Sequence, residues 1–89
     1  MDKKILDQLN IAFEALQEKQ SNSPEKIIEG YIKKYEFALN IASSNNKREL
    51  ANALVSLKGL ARGYLEVSSN YSQNFLHEMD KLESLLKNQ

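Results

Sequence analysis

Apolar residues recur along this chain at the 3.6-residue period of amphipathic helices, in four segments separated by short polar stretches. In the first, Ile5, Leu6, Leu9, Ala12, Phe13 and Leu16 form one stripe. That spacing predicts a helix from about Asp2 to Gln20, with Asp2 as its cap. Lys3, Lys4, Asp7, Glu14, Glu18 and Lys19 fall off the stripe and are expected in solvent. The run Gln20-Ser21-Asn22-Ser23-Pro24 breaks the pattern. Proline is pre-organised for the first helical position, so Ser23 is the expected N-cap of a second helix that begins there. Its stripe is Ile27, Ile28, Tyr31, Ile32, Tyr35, Ala38, Leu39 and Ala42. Gly30 lies inside it, either as a point of close helix approach or simply tolerated at about 1 kcal/mol.

Ser43-Ser44-Asn45-Asn46 ends that segment, and Asn46 followed by Glu49 fits a capping box for a third helix. Its stripe holds Leu50, Ala53, Leu54, Leu57, Leu60, Ala61, Tyr64, Leu65 and Val67. Gly59 and Gly63, four apart on one face, are expected to mark close helix packing. A fourth stripe runs through Tyr71, Phe75, Met79, Leu82, Leu85 and Leu86. Between the last two, Ser68-Ser69-Asn70 has the composition of a turn. Yet Leu50, Leu54, Leu57, Ala61, Tyr64, Ser68, Tyr71 and Phe75 keep a 4-3-4-3 spacing across it. With the break, the fold is all-α, a compact antiparallel four-helix bundle in a single domain, residues 1–89. Without it, three helices result, the last one long enough to overhang a monomer and pair with a second copy.

Composition narrows the function. The chain has 89 residues, 42% hydrophobic and 27% charged, the balance of one globular domain. Twelve basic residues oppose twelve acidic ones, which removes the usual electrostatic case for nucleic acid or anionic membrane. There is no cysteine, and no run nears the ~20 apolar residues of a membrane span. The opening Met-Asp-Lys-Lys-Ile lacks a signal-peptide core, so a cytoplasmic location is expected. The sole histidine, His77, has Glu78 and Asp80 beside it, but Asn74 stands where a Glu-x-x-His ligand pair needs glutamate. No serine lies in a nucleophile motif, and no glycine run matches a phosphate loop. No enzyme activity, cofactor or metal is therefore expected, and no small-molecule substrate. Lys47, Arg48, Lys58 and Arg62 make a basic strip, whose plainer reading is a solvated helix flank. Tyr31, Tyr35, Tyr64 and Tyr71 suit the edge of a core, and four in one small bundle favour at least one facing a partner.

The string Lys58-Gly59-Leu60-Ala61-Arg62-Gly63-Tyr64-Leu65-Glu66-Val67-Ser68-Ser69-Asn70-Tyr71, followed by Phe75-Leu76-His77-Glu78-Met79-Asp80-Lys81, resembles the small helical immunity proteins of bacterial polymorphic-toxin systems, of the contact-dependent growth inhibition and Maf type. The resemblance covers about residues 45–85. It implies an antitoxin role: stoichiometric occlusion of a cognate toxin nuclease, an RNase of EndoU-like type. Carboxylates would meet the basic cleft of such a nuclease. By residue type and position, the expected partner-binding residues are Tyr64, Glu66, Tyr71, Glu78, Asp80 and Glu83. A self-associating helical module, homodimeric through the long helix, is the alternative. A nucleic-acid-binding regulator using the basic strip ranks behind both.

Overall fold

The computed structural model describes residues 3–44, 46–67 and 73–87. Every regular element among them is helical: α1 (Lys3–Asn22), α2 (Lys26–Ala42), α3 (Lys47–Val55), α4 (Leu60–Leu65) and α5 (Asn74–Lys87). α1 lies between α2 and α5, α3 packs on α2, and α4 packs on α5. The ring α1, α2, α3 with α4, α5 is a four-armed bundle whose third arm is broken in two. Ile5, Leu9, Ala12 and Leu16 of α1 are buried at its centre, against Ile28, Tyr31, Tyr35 and Ala38 of α2 and Phe75, Met79, Leu82 and Leu86 of α5. No polar or charged residue is buried among the described ones.

The break in the third arm departs from the single helix expected there. α3 ends at Val55, and Leu57 and Lys58 donate to Leu54 and Val55 carbonyls in tight i→i+3 bonds. Gly59 follows at φ +85°, a left-handed conformation that side chains resist. Gly59 is thus a turn residue and does not share a helical face with Gly63. Close approach occurs at Gly63 alone, where a Cβ would lie 3.2 Å from the Tyr31 hydroxyl. At Gly30 a Cβ would meet nothing within 4 Å, so of its two readings simple tolerance holds.

The long C-terminal helix of the alternative reading does not form, since α4 ends at Leu65 and α5 starts at Asn74. Its 4-3-4-3 spacing nevertheless marks burial: Leu54, Leu57, Ala61, Tyr64 and Phe75 are all buried, on both sides of the turn. Val67, placed in the stripe by sequence, lies beyond α4 and is 69% exposed.

Two boundaries also move. Ser23 belongs to the end of α1, where its N–H donates to the Lys19 carbonyl at 2.8 Å. The N-cap of α2 is Glu25, and its side chain makes no capping bond because it is engaged elsewhere. At α3 the expected cap is in place, with Asn46 Oδ1 accepting from the Glu49 N–H at 3.0 Å. The reciprocal half of the box is replaced: the Asn46 N–H donates to Ser44 Oγ.

Candidate functional site

Where α1 ends and α5 begins, the bundle leaves an open groove of about 610 Å³. Its walls are Glu18, Lys19, Asn22, Ser23 and Glu25 on one side and Gln73 and Asn74 on the other, with Ala15, Tyr64 and Phe75 between. Tyr64 and Phe75 meet edge to face, ring centroids 5.1 Å apart, a favourable arrangement of aromatic quadrupoles. The Tyr64 hydroxyl emerges from this core contact and donates to Glu25 Oε2 at 2.7 Å. It accepts from Gln73 Nε2 at 3.2 Å. Lys19 Nζ reaches the same Glu25 oxygen at 2.7 Å and donates to the Ser23 carbonyl at 2.8 Å. The Glu25 N–H in turn donates to Gln20 Oε1. One carboxylate thus ties the end of α1, the start of α2 and α4 together.

That geometry fixes the electrostatics. The Lys19 ammonium, and next the Tyr64 hydroxyl, stabilise ionised Glu25 and hold its carboxyl below the usual range. Lys19, expected in solvent, has only 12% of its side chain exposed. Its aliphatic stem lies along the bundle while its charge is paired, as long cationic side chains allow.

The residues singled out by sequence fall in different places. Tyr64 lines the groove through its hydroxyl, but its ring is core. Tyr71 lies outside the described residues. Glu66 is exposed just past α4. Glu78 is half-buried against α1, accepting Gln8 Nε2 on both its carbonyl, at 2.8 Å, and its Oε1, at 3.0 Å. That amide bond, aided by Lys81 at 3.4 Å, lowers the Glu78 carboxyl pKa. Asp80 is exposed on the opposite side of α5, about 200° round the helix at ~100° per residue. Glu83 turns inward: Oε1 accepts the Gly59 N–H at 2.7 Å and Oε2 the Ala61 N–H at 3.0 Å. It caps α4 from another helix, at a start where glycine has no side chain to do so. Asp80 and Glu83 share two shallow hollows with Lys58, Arg62 and Lys87. The five described residues therefore do not make one surface.

The basic strip is divided too, with Lys47 and Arg48 on α3, Lys58 in the turn and Arg62 on α4. Tyr31 and Tyr35 are core residues, and burial raises the pKa of both. The Tyr35 hydroxyl is buried without a hydrogen-bond partner among the described residues. His77 is exposed on α5. Lys19, placed by its spacing on the solvated face, and Glu25 and Gln8 are the site residues that the pattern does not single out. Gln8 carried a signal, for it sits three residues after Ile5 and four before Ala12, inside the apolar stripe. Glu25 carried none, since its partners are 6 and 39 residues away along the chain.

No described helix is long and apolar enough to cross a membrane. No solved structure matches the chain. A relative in Bacillus subtilis (strain 168), Uncharacterized protein YeeD, is 28% identical over 89 residues, an alignment covering 96% of this chain and 88% of the relative. The family described as YeeD uncharacterised protein matches residues 1–89, and the chain, aligned end to end with that pattern, belongs to this family.

Proposed function

We propose that this protein works by binding another protein stoichiometrically, and that the partner is a toxin nuclease which it occludes as an immunity protein. The groove at the Lys19–Glu25–Tyr64 junction carries the binding part of this reading. It is a preformed concavity, its lining held by hydrogen bonds between three elements, and preformed sites lose little freedom on binding. The nuclease rests on the resemblance of residues 58–81 to polymorphic-toxin immunity proteins. Exposed Glu66 and Asp80 suit that role, because a nuclease binds its substrate through cations that carboxylates can meet. The test is to search the genes beside this one for a secreted nuclease domain, whose absence would count against the reading, and to measure capture of that domain by calorimetry. A one-to-one complex of nanomolar Kd, about −12 kcal/mol, with loss of nuclease activity is the expected result. A neighbouring nuclease that neither binds nor loses activity would refute it.

A second reading, self-association, has its own observation. Phe37 on α2 is 56% exposed, one heptad after Gly30, where the helix surface is open. A second copy laid antiparallel along α2 would set Phe37 over the partner's Gly30. Sedimentation decides it, and a monomer at hundreds of micromolar removes it.

A further inference from the structure

We propose that the groove between the C-terminal turn of α1 and the first turn of α5 is a receptor for an arginine side chain presented by a partner protein. The inference rests on the protein-binding reading above and adds the chemistry that the site selects. Its lining carries two carboxylates, Glu18 and Glu25, against one ammonium, Lys19, a formal balance of −1. The ammonium is already occupied, donating to Glu25 Oε2 at 2.7 Å and to the Ser23 carbonyl at 2.8 Å. Both bonds that the Glu25 carboxylate accepts from described residues converge on Oε2, so Oε1 keeps its acceptor capacity. Glu18 is exposed and takes part in no ion pair among the described residues.

The backbone supplies a negative pole on one wall. The 20 residues of α1 end at this wall, and the carbonyl end of a helix is the negative pole of its dipole. A cation entering beside the end of α1 meets two carboxylates and a helix C-terminus, and Lys19, the one cation among the described lining residues, is paired. The starts of α2 at Glu25 and of α5 at Asn74 put positive poles on the remaining wall. The planar guanidinium suits this site better than an ammonium. Its five N–H donors can serve two separated carboxylates at once, and its faces tolerate the aromatic surface of Tyr64 and Phe75. The far wall, at the first turn of α5, favours an acceptor, which the peptide carbonyl of a protein-borne arginine supplies. The volume of about 610 Å³ is ample for one such residue.

The test is a titration of the 15N-labelled full chain, followed by amide NMR, with N-acetyl-arginine N-methylamide and, separately, its aspartate counterpart. A single residue of this size should bind with a Kd on the order of millimolar. The expected result is saturable shifts at Ala15, Asn22, Asn74 and Phe75 with the arginine probe only. Glu18→Gln, a surface change outside the core, should weaken binding about three- to five-fold, and Glu18→Lys should abolish it. Circular dichroism of both variants verifies that they remain folded. Equal shifts with the aspartate probe, no saturation up to about 100 mM, or an undiminished response in Glu18→Lys would overturn the proposal. Failure here is separable from failure of the toxin reading. A nuclease captured by a protein whose groove ignores arginine leaves occlusion standing without this site. A groove that takes arginine in a protein that captures no nuclease leaves the site and removes the toxin.

Discussion

Removing one hydroxyl at a time from Tyr64 and Tyr35 should move stability in opposite directions, although both rings are buried in the same core. In Tyr64→Phe the lost group donates to an ionised carboxylate at 2.7 Å and accepts an amide at 3.2 Å. Hydrogen bonds to charged groups contribute about 1.5–3 kcal/mol net. The Glu25 side chain is 37% exposed, so water can replace much of what it loses. The contribution therefore falls to or just below the lower end of that range, about 1–1.5 kcal/mol of destabilisation. In Tyr35→Phe the lost group has no partner among the described residues, and its residue is fully buried. Burying a hydroxyl unpaired costs about 1–3 kcal/mol, and deleting it leaves a gap that forfeits part of that in dispersion. The net expectation is stabilisation by about 0.5–1 kcal/mol.

Urea unfolding followed by circular dichroism at 222 nm suits both variants, since neither signal nor baseline depends on tyrosine emission. With an m-value of about 1 kcal/mol/M for a domain of this size, the two midpoints should lie about 2 M apart, with wild type between them. The contrast between variants is more robust than either value, because both exchanges remove the same atom from the same residue type. Tyr35→Phe less stable than wild type would mean that its hydroxyl is bonded after all. Tyr64→Phe without effect would mean that the Glu25 contact is not a stabilising link.

The two depressed carboxyls set a pH dependence. Because Glu25 and Glu78 bind protons less readily folded than unfolded, their contribution is complete above the unfolded pKa and is lost as pH falls through the folded ones. Urea midpoints of wild type should fall between about pH 5 and pH 3 more steeply than those of the double variant Glu25→Gln, Glu78→Gln, and equal slopes would contradict the assignment. Glu83→Ala should cost about 1–2 kcal/mol through the lost cap of α4, with faster hydrogen exchange at the Gly59 and Ala61 amides as its local signature. Gly59→Ala should destabilise by about 1–2 kcal/mol because of its positive φ, whereas Gly30→Ala should stabilise by about 0.5–1 kcal/mol through helix propensity, both read as thermal midpoints.

The fold was largely legible because its core is a matter of period. Every buried residue of α1 except Ala15 lies in the stripe read from spacing, and every buried residue of α2 does so. What spacing could not report was continuity. Leu54, Leu57 and Ala61 keep the helical interval across a turn, because the turn need only return the chain to the same core for the interval to persist. The clue lay in Gly59, whose left-handed conformation ends a helix without disturbing the burial of its neighbours. At α2 the proline signal was real but displaced by two residues, since α1 continued through Asn22 and Glu25 was drawn to Lys19 and Tyr64.

The candidate site was less legible, for a related reason. Its members are joined by tertiary contacts between residues whose positions have no common period. Glu83 and Glu78 looked like surface carboxylates of one helix, but each is held by a group on another element: the backbone at Gly59 and Ala61, and the Gln8 amide. Only Glu66 and Asp80, of the six residues singled out, are exposed among the described positions. This division separates fold from binding. The core holds no charged residue and only tyrosine hydroxyls as polar side-chain groups among the described residues, while Glu18, Asn22 and Asn74 of the groove are exposed and join no described side-chain hydrogen bond or ion pair between helices. Substitutions at those three positions should therefore alter what the groove accepts while leaving stability within about 0.5 kcal/mol of wild type. Such positions can change without rebuilding the core, and the Bacillus subtilis relative, at 28% identity, leaves room for that change.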